Sequence, residues 1–184
     1  MKLPHTIQNH LGEELTFHRI IQVDGVDRLL VSNRVQPGAG PVMHTHWQQD
    51  ESLTVKQGNM GWQIQGQEPR FAGPGETVTF TRGTPHRFWN DGQDLLICEG
   101  WISPPHSIVF FLDAVYAAIN KSGTERPEAF DAAWLLTRYA SEYDLPDIPV
   151  FIKKVIMPIQ VFLGTIMGKY RHFRESPRPL PPVR

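Results

Sequence analysis

The amino-acid sequence predicts a mainly β protein, in which a sandwich or barrel (residues 1–103) precedes about three helices (residues 104–175). Short segments rich in β-branched and aromatic residues, separated by glycine and proline turns, run as far as residue 103 and are typical of such folds. After Pro104-Pro105 the apolar residues recur at a spacing of three and four, which indicates helices. Residues 176–184 hold four prolines, so a disordered tail is expected there.

Alternating apolar and polar residues, bounded by turn signals, predict the strands of the first region. The predicted strands are Glu14–Ile21, Arg28–Val35, Glu51–Lys56, Met60–Gln65, Glu76–Phe80, His86–Asn90 and Leu95–Trp101. If Glu51 faces inward, Leu53 shares its face, because successive side chains of a strand point to opposite sides. By the same rule an inward-facing His86 has Phe88 beside it. Each strand then places a polar side chain at the end of an apolar inner row.

Three amphipathic helices are expected in the second region. The first runs from about Ile108 to Gly123, and the second begins near Pro127. The third begins near Pro149 and should be kinked at Pro158. Its apolar stripe comprises Phe151, Val155, Ile159, Phe162, Leu163, Ile166 and Tyr170.

Composition limits the function classes. A formal net charge of −1 over 184 residues argues against a general nucleic-acid-binding protein. The single cysteine, Cys98, cannot form an internal disulfide and has no basic neighbour in sequence that would activate it, so a structural thiol is expected. No apolar leader follows Met1, and the cytoplasm is therefore the expected location.

Four residues carry the chemistry that the sequence predicts. His44 and His46 alternate along an extended segment and should project to one side, with Glu51 close behind and His86 more distant in sequence. Imidazole and carboxylate together suit a divalent first-row metal ion. A lone His-x-His pair is a weak signal, and unmetallated core histidines or a metal that only staples the barrel are the simpler readings.

The residues around these four strengthen the prediction. They form two blocks, the first made by Gly38, His44, His46, Glu51 and Gly58 and the second by Gly75, Thr81, Gly83, His86 and Asn90. Together the two blocks resemble the paired signature motifs of the cupin superfamily. Only Thr81 departs from the pattern, because the family usually carries proline there. That change removes a stiff turn residue, and the ligand set stays complete.

The resemblance implies a double-stranded β-helix, or jelly-roll barrel, with one divalent transition metal held by His44, His46, Glu51 and His86. Zinc, iron, manganese, nickel and copper all suit these ligands. It implies either a small metal-dependent enzyme (oxygenase-like, isomerase or lyase) acting on a small polar molecule, or a non-catalytic module that binds a sugar or carboxylate. A homodimer is also expected, since small cupins commonly pair through strand edges.

Weaker substrate-binding candidates are Arg82, Trp62, Gln63 and Phe88. Arg82 could bind an anionic group, although a solvated loop arginine is the commoner case. Trp62 and Phe88 could line an aromatic pocket or simply belong to the core. Gln63 could surround the site or face water.

The third helix lies outside the resemblance. Seven basic residues and one acidic residue fall between Pro149 and Arg184, and basic residues flank the apolar stripe. Two interpretations compete: the stripe packs on the barrel or on a partner subunit, or the helix lies on an anionic membrane surface. Packing is the commoner fate of such a stripe, and the sequence favours it.

Overall fold

The computed structural model describes residues 2–182 and contains eleven strands and three α-helices within that range. The strands are β1 (His5–Gln8), β2 (Glu13–Val23), β3 (Val26–Val35), β4 (Thr45–His46), β5 (Asp50–Gln57), β6 (Met60–Ile64), β7 (Arg70–Ala72), β8 (Thr77–Phe80), β9 (His86–Asn90), β10 (Leu96–Ser103) and β11 (Tyr143–Asp144). The helices are α1 (Ile108–Ser122), α2 (Ala129–Arg138) and α3 (Met157–Ile166), and a π-helical segment (Ile152–Ile156) precedes α3.

Two antiparallel sheets form the barrel. The larger has the strand order β1-β2-β3-β10-β5-β8 and the smaller the order β7-β6-β9, so strands distant in sequence become neighbours. This is the jelly-roll arrangement that the sequence predicts, and the mainly β fold class is confirmed. The inner face of β5 follows the expected alternation, because Leu53 and Val55 are fully buried whereas Lys56 is exposed. In β9, His86 and Phe88 are likewise buried and Arg87 is exposed.

The strands that the sequence missed are the short ones, β1, β4, β7 and β11. The β4 and β11 strands pair only with each other, with His46 opposite Tyr143 and Thr45 opposite Asp144. A pair of two-residue strands carries no periodicity of its own. Its existence depends on a tertiary contact almost a hundred residues away in the chain.

Helix α1 packs over the open end of the barrel. Its residues Ile108 and Phe111 join Phe17 and Leu29 of the large sheet in one buried cluster. The helix ends at Gly123, whose backbone takes up the left-handed conformation (φ 66°) that glycine adopts most readily. Burial of these apolar side chains fixes the helix above the barrel, and each contributes about 1.5–3 kcal/mol.

The C-terminal segment crosses the surface without regular structure over residues 177–182. The sequence predicts disorder for 176–184, of which residues 183 and 184 lie outside the described part. Here Tyr139 Oη donates to the carbonyl oxygen of Pro177 (2.7 Å), and the amide of Leu180 donates to the buried Glu142 (3.1 Å). In this structure the segment is therefore hydrogen-bonded to the body of the protein.

Candidate metal centre and cavity

Four predicted ligands converge although they come from three parts of the chain. His44 and His86 face each other across an isolated antiparallel bridge, in which each amide donates to the other's carbonyl oxygen at 2.9 Å. His46 lies on β4, two residues further along, and Glu51 begins the buried row of β5. One potential ligand atom of each residue lies within 4.8 Å of those of the other three.

The distances between these side chains suit a single ion. Glu51 Oε2 lies 3.3 Å from His86 Nε2 and 3.5 Å from His46 Nε2. Ligands about 2.1 Å from one metal ion stand roughly 3 to 4.2 Å apart, so small movements would bring all four donors into coordination range. Three imidazoles and one carboxylate also form a donor set that first-row metals accept. The residues present therefore fit the metal that the sequence predicts.

Hydrogen bonds orient two of the imidazoles. His44 Nδ1 donates to the carbonyl oxygen of Val42, and His86 Nδ1 donates to that of Thr84, both at 2.8 Å. A carbonyl oxygen only accepts, so each of these Nδ1 atoms carries a proton, and in the neutral His44 ring the lone pair of Nε2 is free to bind a metal. His86 Nε2 lies 3.3 Å from Glu51 Oε2, and metal binding there would displace any proton that the two atoms share. The ring of Phe80 stacks on His86 with the centroids 4.0 Å apart, which holds that ring in place.

The protonation state also favours metal binding. Burial, together with the neighbouring His86, lowers the pKa of His44 to about 3, and burial lowers that of His46 to about 4. Burial alone would raise the pKa of Glu51, but a hydrogen bond from His86 and the nearby imidazoles lower it to about 2. At neutral pH these two histidines are therefore neutral and the carboxylate is ionised, the forms that bind metals.

A cavity of about 210 Å³ opens beside this cluster, between the barrel and the helices. Its walls are mostly apolar and come from both regions of the chain. They include Leu15, Val31, Phe88 and Ile102 of the barrel, Phe111, Leu112, Val115 and Ile119 of α1, Leu135 and Leu136 of α2, and Leu145. His44, His46 and Glu51 lie in the wall of the same cavity.

A second set of polar side chains, Glu13, Asn33 and Tyr116, lines the cavity, and the sequence analysis missed it. Glu13 is buried, receives hydrogen bonds from Asn9 (3.0 Å) and from Tyr116 Oη (3.1 Å), and contributes to the cavity wall together with Tyr116 and Asn33. Burial raises the pKa of Glu13, although both hydrogen bonds oppose this effect. Glu13 and Tyr116 lie on a strand and a helix separated by about a hundred residues, so no local pattern could have paired them.

Of the four weaker substrate-binding candidates from the sequence, one lies in the cavity wall. Phe88 lines the cavity, whereas Arg82, Trp62 and Gln63 lie outside its wall. Arg82 forms an ion pair with Asp50 (2.7 Å), and Gln63 accepts hydrogen bonds from the guanidinium of Arg87. Trp62 packs on the cluster of barrel side chains that contains Phe80. The structure thus brings only one of these four to the site.

Cys98 lies away from the cavity wall and is fully buried. Burial, and secondarily the negative charge of Glu51, raises its pKa to about 12. A thiol with such a pKa stays protonated at neutral pH and is a poor nucleophile. This agrees with the structural role that the sequence predicts.

Comparison with known proteins gives a family for the barrel. Residues 33–98, which contain all four clustered side chains, match the model of the family described as Cupin domain. The probable oxidoreductase virH of Hypocrea virens is 32% identical over 68 residues, or 36% of this chain and 31% of that protein. The oxidoreductase iacF of Pestalotiopsis fici is 36% identical over 67 residues, or 35% of this chain and 33% of that protein. This chain thus matches about a third of the length of each of these relatives.

Solved structures align with part of this chain. KdgF from Halomonas sp. aligns with a TM-score of 0.46 and 22% identity over 59% of this chain and 94% of that chain. A double-stranded β-helix protein of Klebsiella pneumoniae aligns with a TM-score of 0.41 and 18% identity, covering 46% and 69%.

Proposed function

Because the barrel of this chain belongs to the cupin superfamily, we propose that it binds one divalent transition metal and acts as a metal-dependent oxidoreductase on a small molecule. One observation carries the proposal: three imidazoles and a carboxylate lie within 4.8 Å of one another, and His44, His46 and Glu51 of this cluster lie in the wall of a mostly apolar cavity. His44, His46, Glu51 and His86 would hold the ion, which would supply Lewis-acid or redox chemistry to a molecule in the cavity.

The cavity walls indicate the kind of molecule. Apolar side chains from four strands and two helices surround most of it. The polar side chains in the wall include three of the ligand cluster, the set formed by Glu13, Asn33 and Tyr116, and also Thr45, Glu125 and Asp144. Such a cavity favours a molecule with a largely apolar body, whose polar group reaches the metal and whose second polar atom can meet Tyr116 or Asn33. The substrate proposed here, a largely apolar molecule with two polar groups, therefore differs from the small polar molecule expected from the sequence.

An oxidoreductase is preferred to an isomerase or lyase on the evidence of the two curated relatives. Both are named oxidoreductases, and each matches about a third of this chain. A non-catalytic binding protein is the alternative, because the same ligand set and cavity would hold a ligand without converting it.

Oxygen consumption tests the proposal. The metal-loaded protein should consume dioxygen with at least one member of a panel of aliphatic and aromatic carboxylates, ketones and phenols whose apolar part increases in size. Val115→Phe, which fills the cavity, should remove turnover of the larger members. Ile20→Phe adds the same ring on an exposed part of β2 and should leave turnover unchanged.

Saturable binding of panel members without any product or oxygen uptake would favour the binding-protein alternative. Binding that is equal in the wild-type protein and in Val115→Phe would contradict the placement of the ligand in this cavity.

A further inference from the structure

The most exposed apolar surface of this molecule is the outer face of its last long helical segment. Phe151, Phe162, Ile166 and Met167 are each more than 60% exposed. Other large apolar side chains accompany them on the same segment: Val150, Ile152, Val155, Ile156, Ile159 and Leu163. Their spacing of three and four residues places most of them along one side of the helix, and we call this set the outer stripe.

The opposite side of the segment holds it to the protein. Gly164 is buried against the ring of Tyr170 of the same segment, at a distance that leaves no room for a Cβ atom, and Tyr170 in turn packs on Trp134 of α2 with the ring centroids 6.1 Å apart. Lys153 Nζ lies 2.8 Å from the Asp144 carboxylate and 3.3 Å from the carbonyl oxygen of Leu145, and both of these residues line the cavity. In most surface helices the apolar side faces the body of the protein. Here the apolar side faces away from it.

This placement narrows the first of the two interpretations of the sequence, in which the stripe packs on the barrel or on a partner subunit. No residue of the outer stripe belongs to either core cluster of the described residues, so the stripe is not packed on the barrel. A contiguous apolar surface of this kind on a folded chain marks an interaction site. Two partners that could cover the outer stripe remain, a partner subunit and a lipid surface.

The charge of the segment favours one of these two partners over the other. Residues 148–174 contain five lysines and arginines and no aspartate or glutamate. Among them, Lys154, Arg171 and Arg174 are exposed. In a two-fold symmetric dimer the same surface meets itself, so like charges at its border would face each other without acidic partners from this segment. An anionic bilayer offers both an apolar interior for the stripe and negative head groups for the cations.

We propose that residues 150–174 dock this protein on an anionic membrane surface, with the helix lying in the plane of the interface. The segment from Phe151 to Met167 is about 25 Å long at 1.5 Å per residue. No helix among the described residues is long and apolar enough to cross a bilayer. Docking inserts the outer stripe among the acyl chains, and the ion pair of Lys153 with Asp144 joins the docked helix directly to the cavity wall.

Co-sedimentation of the full chain with vesicles tests this proposal. The protein should pellet with phosphatidylglycerol-containing vesicles, remain in solution with purely phosphatidylcholine vesicles, and be released by added salt. The double variant Phe162→Ser/Ile166→Ser should bind at least about tenfold more weakly, since two large apolar side chains are lost from the bilayer. Phe71→Ser/Ile20→Ser removes comparable exposed side chains from the barrel and should bind as the wild type does.

Lys154→Gln/Arg174→Gln should weaken binding to anionic vesicles and reduce its dependence on salt. All substituted side chains are exposed, and circular dichroism checks that each variant is folded. Equal binding by the wild type and the Phe162/Ile166 variant would overturn the proposal. So would a dimer in solution that this variant converts to monomer while vesicles bind no protein, because the stripe would then be covered by a second copy.

Discussion

The protonation states of His44 and His46 determine whether the candidate centre can bind a metal ion. His46 is buried and His44 half-buried beside other imidazoles, and their pKa values of about 4 and about 3 lie far below the ordinary 6.5. The carbonyl oxygens of Val42 and Thr84 fix the proton of His44 and His86 on Nδ1. His44 and His46 therefore resist protonation in the folded protein. As a result, the free energy of unfolding should depend on pH.

We expect the metal-free protein to lose stability as the pH falls from about 6.5 towards about 4. In this range the unfolded chain binds protons on these histidines and the folded site does not, so the free energy of unfolding decreases by up to about 1.4 kcal/mol per pH unit for each histidine. Urea unfolding at several pH values measures the slope. His46→Gln should have a shallower slope.

His18→Gln is the matched control, because His18 lies outside the cluster and contacts Ser32 on an exposed face. Equal slopes for His46→Gln and the wild type would mean that the buried histidines do not control the acid sensitivity.

Among the elements, the contact between β5 and β10 positions Glu51. Gly100 lies opposite Leu53 in this pair, and a Cβ atom there would collide with the carbonyl oxygen of Ser52. That oxygen belongs to the backbone, so it moves only if the strands separate. A glycine is therefore required by close approach at this position.

Gly100→Ala should destabilise the protein by about 1–3 kcal/mol and weaken metal binding, because β5 carries Glu51 beside the shifted residue. Chemical denaturation and metal titration measure the two effects. Gly73→Ala is the control, since a Cβ atom there would meet only one side-chain oxygen at 3.7 Å. Unchanged stability of Gly100→Ala would show that the sheet adapts at no cost.

Strands could be predicted from the sequence where a local pattern of alternating residues and bounding turns defines them. The bounds of β9 agree with the prediction residue for residue, and β5 differs by one residue at each end, because alternation and bounding turns define both strands. The two motif blocks also identified the residues that cluster. By contrast, the pairing of β4 with β11 and the contact of Glu13 with Tyr116 depend on how α1 and the chain after α2 fold over the barrel.

The third helix shows a different limit of the sequence. Its periodicity correctly predicted an apolar stripe, and Pro158 correctly marked an irregularity, since a π-helical segment ends just before α3. Periodicity gives the width of an apolar face and says nothing of the direction in which that face points. The stripe belongs to neither core cluster of the described residues, so of the favoured interpretation, packing on the barrel or on a partner subunit, the part that stays a prediction is packing on a partner subunit.

At the scale of the whole molecule, the homodimer expected from the sequence remains a prediction. The described large sheet has β1 and β8 at its edges, and either strand could pair with a second copy. Light scattering at micromolar concentration in the absence of lipid should give a dimer, and Phe162→Ser/Ile166→Ser should leave it intact if strand edges form it. A monomer would contradict the prediction.

The central claim is that His44, His46, Glu51 and His86 bind one divalent metal, and the metal content of purified protein tests it most directly. After incubation with excess metal and gel filtration, the wild type and His18→Ala should each retain about one equivalent. His86→Ala and His44→Ala should each lose most of it while circular dichroism shows a folded protein. Metal content that is unchanged in these two variants would contradict the account.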